Sequence, residues 1–477
     1  FEDVISDTKI WSTFVKFHTE LYGKPIPFYN VEDYFRGEIN IQDIKLLIWY
    51  FFNTIQVEEF LYPNAEFFEI ASANVMEVLE EAYEYAPENE HLKSCYELDP
   101  NEKNFYEVRE FIEKVLFDTY LFHTDTFLRI GDEKANLLEK HEDNENLDAF
   151  VQDAMDNAAH KYCTRLLALT GKEWAAGILG DEHPLSNDIK NMSPKVFGAF
   201  LYKGQDEINI FLEHIASGRK FKMTKKSFDQ SGNLKVIDTI FFVGLVKWKG
   251  EWWFSGVNAQ YDHDADIILK EKNSLESRKD MDIIDINNPK VLGVLEKQLN
   301  SFLMFNNGSH IAFMPSGQIE AFSKSYMEFY NNSLKVPEED KRKALDKARK
   351  EGFRGDHEAF KDFPETEESA LVFFNPKSGV EVGFGINSAF PFSQNPFYND
   401  EDSEDDVMSL LMSEDLSAEL AMYCIDNCKD QLAMFQDPDF QFILSDCDFT
   451  LRFLKHKAYH SKPQVTLTGL SSDELEM

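Results

Sequence analysis

At 477 residues, with 43% hydrophobic and 14% aromatic content, the chain exceeds one ordinary core, and its apolar content excludes intrinsic disorder; two or three domains are expected. Its 86 Asp and Glu against 48 Lys and Arg give a formal net charge of -38, a field that repels phosphate backbones and anionic membrane surfaces. Five cysteines, an odd number in a long chain, exclude a disulfide framework and fit reduced thiols in a cytoplasmic setting.

Thr8 to Leu21 predicts one helix, ended at Gly23. The strongest helix start follows: Asn40 as cap, Asp43 three residues on, then Ile41, Ile44, Leu47, Ile48, Phe51 and Ile55 at three-four spacing. Leu46, Trp49 and Tyr50 make this helix apolar nearly all round, which places it centrally in a helical domain. Asn64 to Tyr85 predicts a second such helix, and Asp99-Pro100 a cap and first turn for a third. Gly131 to Leu147 reads as a solvated loop or weak helix, and Leu147 to Leu169 as a further helix.

The character changes near Met192. KVFGAFLY predicts a strand, DEINIFLEHIASG a short helix, and RKFKMTKKSFD an exposed strand with Arg219, Lys220, Lys222, Lys225 and Lys226. Those cations either dock an acidic partner or protect an open sheet edge. Asn233 to Val257 predicts a covered hairpin turned at Lys249-Gly250, the scaffold of the chain. Residues 261–295 read as a linker with a short helix and the acidic start Asp262, His263, Asp264, Asp266. AFMPSGQIEAF and FFNPKSGVEVGF predict two similar hairpins with Gly317 and Gly379 at their turns, separated by a Lys/Glu-rich helix over 338–351. NDEDSEDD (399–406) reads as a mobile acidic run, Ala418 to Phe435 as a helix, and FQFILSD and DFTLRFLKHKAYH as strands, followed by a polar tail. The expected fold is therefore α+β: a helical domain over 1–190, an α+β unit over 191–260, a linker over 261–295, and a C-terminal α+β domain over 296–477, both sheets antiparallel.

Two constellations carry chemistry. Cys424-x3-Cys428 with His456-x3-His460 offers the thiolates and imidazoles of a tetrahedral zinc, although the long gap between the pairs fits equally two thiols on a helix face and two surface histidines. Trp248, Trp252 and Trp253 cluster at one turn, either as an aromatic platform for a partner or as core and rim of the hairpin. The chain carries no P-loop, no H-E-x-x-H and no G-x-S-x-G elbow, and its motifs name no cofactor.

EINIQDIKLLIWYFFN, the G-x-WW-F-x-G hairpin and NPKSGVEVGFG together resemble an uncharacterised family of long acidic proteins from gut Bacteroidetes. The resemblance implies a bacterial cytoplasmic setting and carries no site residue over. The expected function is a binding or protein-interaction protein without catalysis. Its rivals are a hydrolase or transferase assembled from dispersed residues, with a metal near His456 or Asp262, and an acidic mimic of nucleic acid.

Overall fold

The computed structural model describes residues 1–459 except 32, 57–58, 84, 142–146, 275–276, 279–280, 282–288, 335–336, 338, 340–341, 343–367 and 458. Most of the helix expected over 338–351, the centre of the loop expected before Leu147, His460 and the polar tail lie outside the described residues. A helical N-terminal region precedes strand-bearing regions, so the α+β class holds. The chain divides into two units: Phe1–Met192 with Ala433–Tyr459, and Ser193–Leu432 with the remaining C-terminal residues. The first unit is thus discontinuous, and Ala433–Tyr459, expected within the C-terminal domain, groups with the N-terminal helices.

The first unit is built around the helix Ile41–Ile55. Asn40 and Asp43 close a capping box, with Asn40 N–H donating to Asp43 Oδ2 at 3.1 Å, and Trp49 and Tyr50 are fully buried. The third helix begins at Phe105 under an Asn104 cap, not at Asp99, whose carboxylate instead accepts from Asn101 N–H at 2.9 Å in the preceding turn. Helix Tyr120–His141 runs through Gly131, where a loop or weak helix was expected; one interior glycine costs only about 1 kcal/mol.

The strands expected near the C-terminus are helices, Pro438–Leu444 and Cys447–Leu454. Asp437 caps the first with Pro438 in its first turn, a start signal that outweighs the apparent alternation of FQFIL. Phe449 and Phe453 of the second helix are 0% exposed and pack on Trp49, with ring centroids 6.2 and 4.8 Å away, while Phe28 lies 5.4 Å from Phe449. Asp446 fixes this return: its carboxylate accepts from Phe28 N–H at 2.8 Å and pairs with Lys24 Nζ at 2.7 Å.

The second unit opens with five strands: β1 Val196–Gln205, β2 Asn209–His214, β3 Lys220–Thr224, β4 Ile240–Trp248 and β5 Glu251–Tyr261. β2 replaces the expected short helix because Ile210, Leu212 and His214 alternate inward with period two. The hairpin turns where expected, at Lys249 and Gly250, both with positive φ (45° and 83°). The strands close into a barrel ordered β1-β2-β3-β5-β4, in which β3 runs parallel to β5 through Met223 opposite Trp252. A β1–β2–β3 meander closed by a β5 parallel to β3 is the OB-fold arrangement, a five-stranded Greek-key barrel. Its interior is filled by Phe200, Phe221, Phe241, Leu245 and their neighbours.

Closure requires β5 to bend. The register passes from Val243 opposite Asn258 to Gly244 opposite Ser255, and Gly256 takes φ +85° inside that bulge. Gly244 has no room for a side chain, since a Cβ there would stand 2.4 Å from Ser255 O. Gly244→Ala is therefore expected to cost about 1–3 kcal/mol, seen as a lower urea midpoint at unchanged slope; an unmoved midpoint would show that the bulge yields freely.

The rest of this unit holds a three-stranded antiparallel sheet: β6 Ile311–Pro315, β7 Ser369–Asn375 and β8 Gly379–Phe384, in that order. The second expected hairpin is β7–β8. The first is not a hairpin: β6 leads through the turn Ser316–Gln318 into a helix, Ile319–Ser333, because Ile319, Ser323, Tyr326 and Tyr330 bury one helical stripe. The acidic run at 399–406 is structured, a turn over Asp400–Asp402 and the start of helix Ser403–Met412, where carboxylates suit the positive helix end. Among the described residues no helix is long and apolar enough to cross a membrane.

Candidate binding face of the barrel

β3 reads Lys-Phe-Lys-Met-Thr, and a strand sends alternate side chains to opposite faces. Phe221 and Met223 enter the barrel core while Lys220 and Lys222 stand exposed outside. Opposite them on β2, Glu213 pairs in register with Lys220 and Phe211 with Lys222. The chain then turns through Lys225 and Lys226, a turn capped by Thr224, whose hydroxyl accepts from Lys226 N–H at 3.5 Å.

Further cations, far away in sequence, stand at the neighbouring end of the barrel. Met223 faces Trp252, and Trp252 faces Lys247 across the hairpin, so Lys247 lies two strand spacings, about 10 Å, from β3. Lys247 Nζ sits 6.0 Å from the Trp252 ring centroid and Lys249 Nζ 5.2 Å from that of Trp248. Arg219 Nη1 donates to Met281 O at 2.9 Å, which anchors one end of the stripe over the buried Met281. Two acids stand among these cations: Glu251 pairs with Lys226 at 2.8 Å, and Glu213 lies 4.0 Å from Lys203. Lys220, Lys222 and Lys225 form no ion pair among the described residues. At the mouth of the β1–β2 loop, Asp206 accepts from Asn209 and Ile208 N–H at 2.6 and 2.8 Å, and these donors hold its carboxyl below the usual range.

The stripe was legible in sequence as an exposed strand with basic alternation, one reading being that lysines guard an open edge. That reading is corrected: β3 is paired on both sides, to β2 and to β5, and a closed barrel has no edge at this strand. Lys247 opposes Trp252 on the core-facing side of the sheet, so it stands at the end of the barrel and not on the outer face that carries Lys220 and Lys222.

Of the tryptophans, Trp248 is 1% and Trp253 4% exposed, and Trp252 is partly buried against the barrel core, 4.9 Å from Phe221. Their indoles form barrel wall, and the surface a partner could touch is that of Trp252 alone.

Cys424 and Cys428 lie one turn apart on the helix Ala418–Cys428, both buried. Cys424 Sγ donates to Ala389 O at 3.3 Å, and burial together with the adjacent Cys428 pushes its thiol well above the ordinary range, so it stays protonated. His456 belongs to the first unit, where its Nε2 lies 4.0 Å from the Asp125 carboxylate. Burial, then Arg165 and Arg129, lower its pKa far below the ordinary value. Among the described residues no three His, Cys, Asp or Glu side chains converge as metal ligands. The acidic start of the linker has a structural use: Asp264 caps helix Ala265–Asn273 by accepting from Asp266 and Ile267 N–H at 2.8 and 3.0 Å.

No curated protein and no solved structure matches the chain. Residues 1–212 match a family described as protein of unknown function (DUF3843), a match that takes in the N-terminal helices and ends within β2 of the barrel.

Proposed function

We propose that the protein is a binding protein whose barrel docks an acidic polypeptide segment across β2, β3 and the β4–β5 turn. One observation carries the reading: Lys220 and Lys222 stand exposed and without ion-pair partners among the described residues on a doubly paired strand, in a chain of net charge -38. Like-charge repulsion elsewhere makes this the face where an anionic segment is tolerated, and rim charges of this kind set encounter rate and orientation. The barrel type by itself assigns no ligand. A polypeptide is favoured over single-stranded nucleic acid because base stacking needs open aromatic faces, and two of the three indoles here are buried.

The test uses a labelled deca-glutamate peptide, the full chain and its Lys220→Glu/Lys222→Glu variant, with fluorescence anisotropy as readout. Two surface charge reversals are expected to weaken binding about tenfold or more, with affinity falling as salt rises and far-ultraviolet circular dichroism unchanged. Equal affinities for the two proteins, or tighter binding of a mixed-sequence single-stranded DNA, would overturn the proposal.

A further inference from the structure

A groove lies along the outer edge of β6. Among the described residues this strand pairs with β7 on one side only, and its other side ends the sheet. Beyond that edge the flanking layers continue. Helix Ile319–Ser333 contributes Phe322 and Ser325, and Phe392 and Tyr423 contribute the far wall. The groove left between them runs along Ile311 to Met314 and has a volume of about 1010 Å3. It has the form of a missing fourth strand.

The hydrogen bonding of β6 shows what faces the gap. His310 O accepts from Phe374 N–H at 2.9 Å, and Ser316 N–H donates to Glu368 O at 2.8 Å. Antiparallel pairing alternates, so His310, Ala312, Met314 and Ser316 direct their main-chain groups at β7, and Ile311, Phe313 and Pro315 direct theirs into the groove. Ile311 is already occupied: its N–H donates to Ser309 Oγ at 3.1 Å and its carbonyl accepts from Asn306 Nδ2 at 2.8 Å. Pro315 has no N–H to offer. Phe313 presents one donor and one acceptor to the groove.

The lining is chemically distinctive. In a chain that is 28% charged, none of the described residues around this groove is Asp, Glu, Lys, Arg or His. Its polar side chains are hydroxyls and the planar amides of Asn306, Asn307, Gln318, Gln394 and Asn427, that of Asn306 being bonded to Ser309 O and Ile311 O. A charged side chain placed here would lose hydration and meet no counter-charge, whereas amides bond readily to a peptide main chain.

We propose that this groove receives one extended, uncharged strand of a partner protein, added to the sheet beside β6. A strand fills ~160 Å3 per residue, from a spacing of about 4.8 Å, a layer depth of about 10 Å and a rise of about 3.3 Å, so the groove takes roughly six residues. The added strand pairs its main chain with Phe313 and, on its far side, with the amides. Its alternate side chains meet Phe322 on one face and Phe392 on the other.

The probe is an acetylated, amidated hexapeptide alternating Thr and Val, titrated calorimetrically into the full chain. Binding is expected, and methylating the peptide nitrogens at alternate residues is expected to weaken it about tenfold in one of the two registers, through the lost main-chain bonds. Ser325→Glu and, separately, Gln394→Lys place a charge in the groove from exposed positions and are each expected to weaken it about tenfold. Both variants should leave deca-glutamate binding at the barrel unchanged, which separates this site from that one. No heat at about 1 mM peptide, indifference to both methylation registers, or displacement of the peptide by the neutral glucan maltohexaose would overturn the proposal.

Discussion

A chain that stops at Leu432 is expected to lose the fold of its first 192 residues. Truncation removes Phe449 and Phe453, both 0% exposed and packed on Trp49, together with the Asp446 carboxylate that holds Phe28 N–H and Lys24. Each large aromatic deleted from a core costs about 3–5 kcal/mol, and a domain is stable by only about 5–15 kcal/mol in total. Leu451 and Phe440 are lost as well, so the remaining helices cannot close a core. Hydrogen exchange of helix Ile41–Ile55 measures this. In the full chain its amides should exchange slowly, and in the truncated chain at nearly free rates. Equal protection would show that the N-terminal helices fold without the returning segment.

The second large effect is acid sensitivity of the same unit. His18 is fully buried, with Nδ1 2.7 Å from Lys24 O. Burial brings its pKa down to about 4, the hydrogen bond to Lys24 opposing in part. His456 is shifted the same way, by burial and then by the guanidinium groups of Arg165 and Arg129. Both imidazoles are therefore neutral in the folded state, while the unfolded chain takes up a proton near pH 6.5. The unfolded state thus binds more protons between these values, and stability falls as pH drops from about 6.5 towards 4. His18 alone contributes up to about 3 kcal/mol across that window. Asp43 and Glu113, whose carboxyl pKa values burial raises, act in the opposite sense and offset part of the loss at its acid end. His18→Gln should flatten the pH slope of unfolding free energy by up to about 1.4 kcal/mol per pH unit, measured by urea titration with exchange at Ile41–Ile55 as readout. Identical slopes for the two proteins would exclude His18 as the source.

What the sequence revealed divides along physical lines. Local signals were read correctly. Asn40 and Asp43 cap a helix because both partners lie within one turn, and Lys249-Gly250 turns a hairpin because the backbone needs two positive φ values in a row. Errors fell on short apolar runs, whose periodicity is ambiguous. NIFLEH is a strand and DFTLRFL a helix, and tertiary packing decides both. The barrel's closure was hidden, because the parallel contact between Met223 and Trp252 joins residues that no local pattern connects. Arg219 to Lys226 was visible as a basic run, but its role depended on whether β3 has a free edge, which only the closed topology answers. The groove beside β6 left no trace in sequence at all, because it is formed by side chains from β6, helix Ile319–Ser333 and residues 392–427 that only the fold brings together.

The discontinuity of the first unit has a consequence for biosynthesis. About 240 residues, the whole of Ser193–Leu432, are translated between the N-terminal helices and the segment that completes their core. At about 5–20 residues per second, the nascent chain waits roughly 12–48 s before Phe449 and Phe453 leave the ribosome. During that interval Trp49 and Phe28 lack the partners that cover them, and the barrel, contiguous in the chain, finishes first. The first 192 residues are thus expected to expose unfinished core for longest during synthesis, even though they are the first to emerge.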